Sequence, residues 1–223
     1  MKPRATLLTV IFLVAFLLSA SAQATAPSIT TADLTKTIST EAINPTTGQL
    51  SRIEDMDIPL TGDFAILIVY NSENVLNELS KIFIFMREKG LPIIDYFDYD
   101  EARENGDINE DGEIKKKIAL LLPEGFDLDT LIMNEFDTAQ IFNYTGEIGD
   151  VLVTFEFPSE YREGQIIVAV IGIFDEMGNV EWIPLKVETV KGPNGVICVQ
   201  IYFTQDAIIK AGEKSFALAI LSE

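Results

Sequence analysis

The sequence DVLVTFEF, residues 150–157, opens a series of five apolar blocks near the end of the chain. The other four are QIIVAVIGIF (165–174), VEWIPLKV (180–187), VICVQIYF (196–203) and KSFALAIL (214–221). Taken together, the blocks are rich in valine, isoleucine, phenylalanine and tyrosine, and turn-forming residues separate them. This pattern predicts antiparallel strands of a β-sandwich or barrel.

The details of these blocks predict how they pack. Block 150–157 alternates apolar and mixed positions, as a strand with one dry face does. Block 165–174 is apolar almost throughout, which indicates a central strand covered on both faces. Pro184 favours an edge strand or a bulge. Two further strands are predicted at 130–136 and 139–144. The total of about seven strands over 126–223 predicts an immunoglobulin-like sandwich.

The preceding stretch, residues 61–125, reads as a small region of mixed helix and strand. The sequence FAILIVY (64–70) predicts a buried strand, and a helix is expected from about residue 72 to Lys89, with apolar residues on one face. Residues 92–98 fit either a short helix or a strand. A second short helix is predicted over 113–122. The fold class is therefore α+β, with the sandwich at the C-terminal end.

The first 24 residues have the features of a secretory signal peptide. A basic start is followed by an apolar run from Leu7 to Leu18 and by small residues at A-x-A spacing. The run is shorter than the ~20 residues that a spanning helix needs. We therefore predict a secreted protein with no membrane span after removal of residues 1–24. The threonine- and serine-rich stretch 25–60 then reads as a flexible tether.

The net charge limits the possible partners, and the cysteine content limits the possible disulfides. The chain carries 16 basic and 35 acidic residues, a formal net charge of −19, and removing residues 1–24 would take away Lys2 and Arg4 and no acid. Such a surface repels nucleic acid, so none is expected as a partner. Cys198 is the one cysteine in the sequence, which excludes an internal disulfide. Its position within an apolar block predicts a buried, inert thiol.

A short acidic segment holds the candidate metal site. Residues 107–114, DINEDGEI, resemble the first eight positions of a calcium loop of the EF-hand or dockerin kind. The resemblance implies that Asp107, Asn109 and Asp111 bind calcium through their side chains and that Glu113 does so through its carbonyl oxygen.

The segment departs from the calcium-loop pattern at two places. Ile118 stands at position twelve, where the pattern has a bidentate acid, and Lys115 stands at position nine. The alternative interpretation is a solvated acidic loop that binds no ion, in which Asp111 caps the following helix.

The absence of one residue type limits catalysis. The chain contains no histidine, which removes Ser-His-Asp and Cys-His mechanisms and the usual zinc hydrolase ligands. Glu156, Glu160 and Glu163 are the acids nearest to aromatic residues in the strand blocks, and we interpret them as solvated charges. The expected function is a non-catalytic module that binds an extracellular protein or glycan. The alternatives are a small hydrolase using paired carboxylates and a spacer domain, stabilised by calcium, at the cell surface.

Overall fold

A computed structural model describes residues 35–44, 48–53, 64–68, 92–98, 112–144, 148–177, 179–212 and 214–223. Three predictions lie outside these residues: the signal peptide at 1–24, the helix at about 72–89, and the part of the acidic loop that ends at residue 111.

The described part of the chain is mostly β-structure and contains ten strands. They are β1 (Lys36–Ile43), β2 (Leu50–Arg52), β3 (Ala65–Ile68), β4 (Ile132–Phe142), β5 (Val151–Glu156), β6 (Ile167–Phe174), β7 (Val180–Leu185), β8 (Val187–Lys191), β9 (Ile197–Phe203) and β10 (Ser215–Ser222). Two α-helices accompany them, α1 (Glu113–Ala119) and α2 (Gln205–Ala211). Short 3₁₀ turns occupy Ile93–Asp98, Leu128–Thr130 and Pro193–Gly195.

The strands form two antiparallel sheets of five strands each. Sheet A has the order β2-β1-β5-β9-β8, and sheet B has the order β3-β4-β10-β6-β7. The chain passes from the edge of sheet B to the edge of sheet A at Lys186, between β7 and β8. Each sheet combines strands that are consecutive in the chain, such as β1 with β2 and β6 with β7, with strands that are far apart in sequence, such as β1 with β5 and β4 with β10.

One hydrophobic core is shared by the two sheets. Sheet A contributes alternate residues of β5 and β9, including Val153, Phe155 and Phe203. Sheet B contributes alternate residues of β4, β6 and β10, including Phe216. Because successive strand residues point to opposite faces, this alternation means that one face of each sheet enters the common core, as in a β-sandwich-like arrangement.

A second core covers the other face of sheet B. It joins Val170, Trp182 and Leu221 of the sheet to residues of the 3₁₀ turn Ile93–Asp98 and of α1. The rings of Tyr96 and Phe97 meet the Trp182 ring edge-on, with centroids 5.6 and 5.0 Å away. The strands β6 and β10 of sheet B are therefore covered on both faces, and β10 is buried at every position after Ser215.

Trp182 fits against sheet B because its neighbour has no side chain. Gly172 of β6 is paired with Trp182 of β7. A Cβ atom on Gly172 would overlap the Trp182 ring. The glycine in the otherwise apolar block 165–174 thus makes room for the largest residue of the second core.

Two parts of the segment 25–60, for which the sequence predicted a tether, form the strands β1 and β2. β1 pairs with β5 from Lys36↔Glu156 to Ala42↔Val151, and β2 pairs with β1. The sequence KTISTEAI of β1 has few large apolar residues, so its alternation is weak. Its buried residue, Ala42, is small because it faces a core already filled by aromatic residues of other strands.

One strand prediction within 126–223 requires correction. Most residues of the predicted strands 130–136 and 139–144 belong to one strand, β4 (Ile132–Phe142), because Asp137 and Thr138 pair with β10 like their neighbours. The described residues contain ten strands, of which seven, β4 to β10, lie in the segment 126–223 for which the sequence predicted about seven, although their bounds differ from those predicted. The additional strands include β1, β2 and β3, which come from before residue 70, outside the predicted sandwich segment 126–223.

Several local predictions are confirmed. β6 is buried from Ile167 to Gly172, as expected of a central strand. Pro184 lies in β7, which is an edge strand of sheet B, where a missing N–H does not interrupt the sheet. The Thr204 side chain accepts a hydrogen bond from the N–H of Ala207 and caps α2. The segment 92–98 is a 3₁₀ turn rather than a strand.

Candidate functional site

A groove lies on the face of sheet A that points away from the shared core. It is lined by Leu152 of β5, Gln200 and Tyr202 of β9, Val187 and Glu188 of β8, and Lys186. In β9 the inward residues are Val199, Ile201 and Phe203, so Gln200 and Tyr202 are forced outward by the strand period. Alternation in one strand therefore fills the core and lines the groove.

Hydrogen bonds hold the polar side chains of this groove in place. The hydroxyl of Tyr202 donates to Oδ2 of Asp150 at 2.6 Å, and the N–H of Gln205 donates to Oδ1 of the same carboxylate at 2.7 Å. Asp150 thereby joins the end of β9 to the start of α2. The amide of Gln200 donates to the hydroxyl of Thr154 at 3.2 Å. The groove is thus pre-organised on a rigid sheet.

The hydrogen bond to Asp150 also perturbs Tyr202. This bond, together with burial and the negative charge of Asp150, raises the pKa of Tyr202 to about 12. The tyrosine is therefore neutral at physiological pH. Its hydroxyl acts as a donor to Asp150, and its ring remains available at the groove surface.

The groove combines one ion pair with an apolar floor. Lys186 and Glu188 pair with each other at 2.6 Å, so the charged rim is locally neutral. Leu152, paired with Tyr202, supplies the apolar floor, whereas Val187 is paired with Ile201 and packs against the shared core. The groove encloses about 180 Å³, less than the roughly 300–1,000 Å³ of an ordinary small-molecule pocket.

Of the four predicted calcium ligands, only Glu113 falls within the described residues. It is the first residue of α1, and its side chain is exposed and pairs with Lys117 four residues on. This ion pair lowers the pKa of Glu113, first through the hydrogen bond and then through the charge of Lys117. Asp107, Asn109 and Asp111 lie outside the described residues. Within the part of the chain that is described, no group of three or more acidic or cysteine side chains could hold a metal.

The start of α1 is capped by a residue distant in sequence. The N-cap position is Gly112, and Asp111, the cap suggested by the sequence, lies outside the described residues. Asp98, 7% exposed, accepts hydrogen bonds from the N–H groups of Ile114 (2.8 Å) and Lys115 (2.7 Å). A carboxylate at a helix N-terminus satisfies two N–H groups that have no partner within the helix.

This cap explains why a glycine stands at position 112. A Cβ atom there would overlap the carboxylate of Asp98. In a calcium loop a glycine is expected at the same position for a sharp turn. The close approach of Asp98 is a sufficient reason for the glycine, so the D-G pair by itself does not distinguish the two interpretations.

Lys115 neutralises acidic residues around this cap. Its ammonium group lies 3.1 Å from Asp95 and 3.2 Å from Asp129. Burial lowers the pKa of Lys115, but its hydrogen bonds to Asp95 and Asp129 outweigh that effect and leave the pKa raised. The lysine at loop position nine thus connects three elements: the 3₁₀ turn Ile93–Asp98, α1 and the turn Leu128–Thr130.

The three glutamates that the sequence places nearest to aromatic residues lie at the surface or in ion pairs. Glu160 and Glu163 are exposed, and Glu163 pairs with Lys191. Glu156 pairs with Lys36 at 3.2 Å. The interpretation of these three glutamates as solvated charges is consistent with these positions.

Glu135 and Asp137 of β4 are the acids that act on Tyr161. Burial raises the pKa of the Tyr161 hydroxyl, and these two carboxylates raise it further. Burial also raises the pKa of Asp137 to about 6, with Glu135 adding to the shift and the Thr35 hydroxyl opposing it. Sequence reasoning missed this cluster, because 24 residues separate Asp137 from Tyr161 and only the fold brings them together.

Cys198 is buried, as predicted. Burial is the main cause that raises the pKa of its thiol, which makes the reactive thiolate less accessible. A Cβ atom on Gly192 would overlap the sulfur, so the glycine turn after β8 packs directly on the cysteine.

No protein-family model, curated protein or solved structure matches this chain. Among the helices that the structure describes, none has the length and apolar character to cross a membrane.

Proposed function

We propose that the protein is a secreted, non-catalytic binding module that recognises an extracellular glycan through the outer face of sheet A. The observation that carries this proposal is the groove on a rigid sheet where the Tyr202 ring, the Gln200 amide and the Lys186–Glu188 pair lie together. Sugars present apolar ring faces and many hydroxyl groups. An aromatic ring packs on the former, and amide and charged side chains bond to the latter.

Charge supports a glycan over a nucleic acid or an anionic polymer. The chain has a formal net charge of −19, which disfavours polyanions, whereas a neutral sugar is insensitive to that charge. The ion pair at the rim is locally neutral and adds no strong preference for a charged ligand. An extracellular protein remains the second class of partner within this proposal.

The experiment is a titration of the purified protein with neutral oligosaccharides of five to six sugar units, followed by two-dimensional NMR. Shifts confined to the residues of β5, β8 and β9 that line the groove would support the proposal. Tyr202→Ala should weaken binding at least tenfold, since stacking on the ring is lost.

Ile132→Ala is the matched control, because Ile132 is an exposed apolar residue on sheet B. It should bind like the wild type. If no neutral oligosaccharide shifts the groove resonances, or if both variants bind alike, glycan recognition by this face is wrong. If the protein instead binds an extracellular protein, and Tyr202→Ala abolishes that binding, then the outer face of sheet A is the binding surface but its ligand is a protein and not a glycan.

The two alternative functions, the carboxylate hydrolase and the calcium-stabilised spacer, predict different results in this titration. The carboxylate hydrolase predicts turnover of the oligosaccharide during the titration, visible as new sugar resonances. The calcium-stabilised spacer predicts a calcium-dependent melting temperature and no shifts at the groove.

The immunoglobulin-like form of the two-sheet fold is also part of the proposal. An experimental structure that gives the strand connectivity, including residues 54–63 and 69–91, would test it.

A further inference from the structure

The inward face of β4 carries two acidic residues where core residues are expected. In the antiparallel register Glu135 lies opposite Ile220 and Asp137 lies opposite Leu218. Both partners belong to the core between the sheets. Phe136, between the two acids, packs against the other core. Glu135 and Asp137 therefore face the space between the sheets, next to the connection from β5 to β6.

Tyr161, on that connection, is buried beside these acids with an unused hydroxyl. The residue is 6% exposed, and its ring packs edge-on against Phe157 with centroids 6.2 Å apart. Its hydroxyl oxygen is buried and has no hydrogen-bond partner, and the same holds for Oδ2 of Asp137. Buried polar atoms in folded proteins are almost always paired, so these two oxygens call for an explanation such as a bound ion or water.

The charge balance favours a cation over a water molecule. None of the ion pairs formed within the described ranges includes Glu135 or Asp137. Two carboxylates that share a half-buried space repel each other, and the cost is removed when a positive charge lies between them. A neutral water would satisfy the oxygens but would leave this repulsion in place.

The geometry around Glu135 holds that carboxylate in position. The N–H of Ser159 donates to its Oε1 at 2.9 Å, and the hydroxyl of Ser159 donates to the carbonyl of Asn134 at 3.3 Å. Residues 159–161 are thus tied to β4 at this point. A ligand bound here would add a further link between the same two segments.

We propose that Glu135, Asp137 and the Tyr161 hydroxyl form a binding site for a hard divalent cation, calcium, at the crossover from sheet A to sheet B. The donor atoms are all oxygens, the set that calcium prefers and that zinc or copper does not. Waters complete the coordination shell. The bound ion neutralises the two acids and fixes the β5–β6 connection on β4. This site shares no residue with the sequence-predicted loop at 107–113, and it is independent of the proposed glycan-binding face.

The test is calorimetric titration of chelator-treated protein with Ca²⁺ at pH 7.5, together with melting curves. We expect one site per chain with an affinity in the submillimolar to millimolar range of extracellular calcium modules. At a hundredfold excess over the dissociation constant, the melting temperature should rise by about 5 °C. Asp137→Asn should weaken binding at least tenfold while preserving the shape of the side chain.

Asp111→Asn is the matched control, since it removes a carboxylate from the sequence-predicted loop and leaves this cluster intact. It should bind calcium like the wild type. The proposal is overturned if the wild type gives neither heat nor a melting shift, if Asp137→Asn binds as the wild type does, or if Asp111→Asn abolishes the binding.

A spectroscopic measurement keeps the proposal testable if Asp137→Asn fails to fold. Tb³⁺ replaces calcium at oxygen sites and emits when an excited aromatic ring lies close to it. Titration with Tb³⁺ should give tyrosine-sensitised emission that excess Ca²⁺ competes away. Glu135→Gln should reduce this emission at least tenfold at a fixed Tb³⁺ concentration. Emission that Glu135→Gln leaves unchanged would place the ion elsewhere and refute the site.

Discussion

The two sheets use their outer faces differently. The outer face of sheet B is covered by the 3₁₀ turn Ile93–Asp98 and by α1, so its strands β6 and β10 are apolar and buried on either side. The outer face of sheet A bears Gln200, Tyr202 and Glu188 around a groove. We propose that this difference reflects a division of roles, in which the covered sheet B contributes more to stability and sheet A presents side chains to a partner.

The largest expected effect is on the covered face of sheet B. Trp182→Ala removes a ring that is 7% exposed and contacts two other aromatic rings. It should lower the free energy of unfolding by about 3 kcal/mol, because a large cavity replaces the indole. Tyr202→Ala, on the half-buried face of sheet A, should cost about 1 kcal/mol. Urea denaturation measures both, and equal losses would contradict the division of roles.

An intermediate effect is expected at the cap that attaches α1 to sheet B. Asp98→Ala leaves the N–H groups of Ile114 and Lys115 without their acceptors and should cost about 1–2 kcal/mol of stability. Asp98→Asn keeps one carbonyl acceptor and should lose less. Urea denaturation followed by tryptophan fluorescence reports this change, because Trp182 lies beneath the same layer. An Asp98→Ala variant as stable as the wild type would show that the covering layer contributes little.

The smallest expected effect is at the Tyr202–Asp150 hydrogen bond on sheet A. Tyr202→Phe should cost no more than about 1 kcal/mol at neutral pH, since the pair is only partly buried. The folded pKa of Tyr202, about 12, lies above the ordinary value of 10. The stability from this group is therefore complete below pH 10 and is lost as the pH rises through 12.

Ultraviolet difference titration of the wild type against Tyr202→Phe isolates this ionisation. A tyrosinate signal near pH 12 that is missing from the variant is the expected result. A signal near pH 10 would mean that the bond to Asp150 does not persist in solution, and the groove would then be less rigid than described.

The sequence predicted well wherever a single segment carries its own pattern. Block 165–174 is apolar almost throughout and contains the doubly covered β6, and Thr204 caps the start of α2. Pro184 marks an edge strand because it lacks an N–H. These features depend on residues within one strand or one helical turn, so the residues adjacent in sequence are enough to predict them.

Prediction from the sequence failed where a strand depends on pairing with another strand that is distant in sequence. β1 has a weak alternation of its own and becomes a strand because β5 offers a complementary edge. Asp137 and Thr138 resemble turn residues, yet pairing with β10 keeps β4 continuous through them. Local propensity was in each case weaker than the hydrogen bonds and burial that the paired strand provides.

The amino-acid sequence by itself determined that the chain is acidic, lacks histidine and cannot form an internal disulfide, and it predicted strands for the last third. Composition and the two-residue alternation of apolar side chains are properties of the chain alone. The tertiary structure decided which side chains meet. Asp98 reaches α1 across 16 residues, Tyr202 and Glu188 share a groove from adjacent strands, and Tyr161 meets Asp137 at a crossover between sheets. Such meetings depend on sheet order and register, which arise when long-range pairing and burial together outweigh the entropy of closing the loops between them.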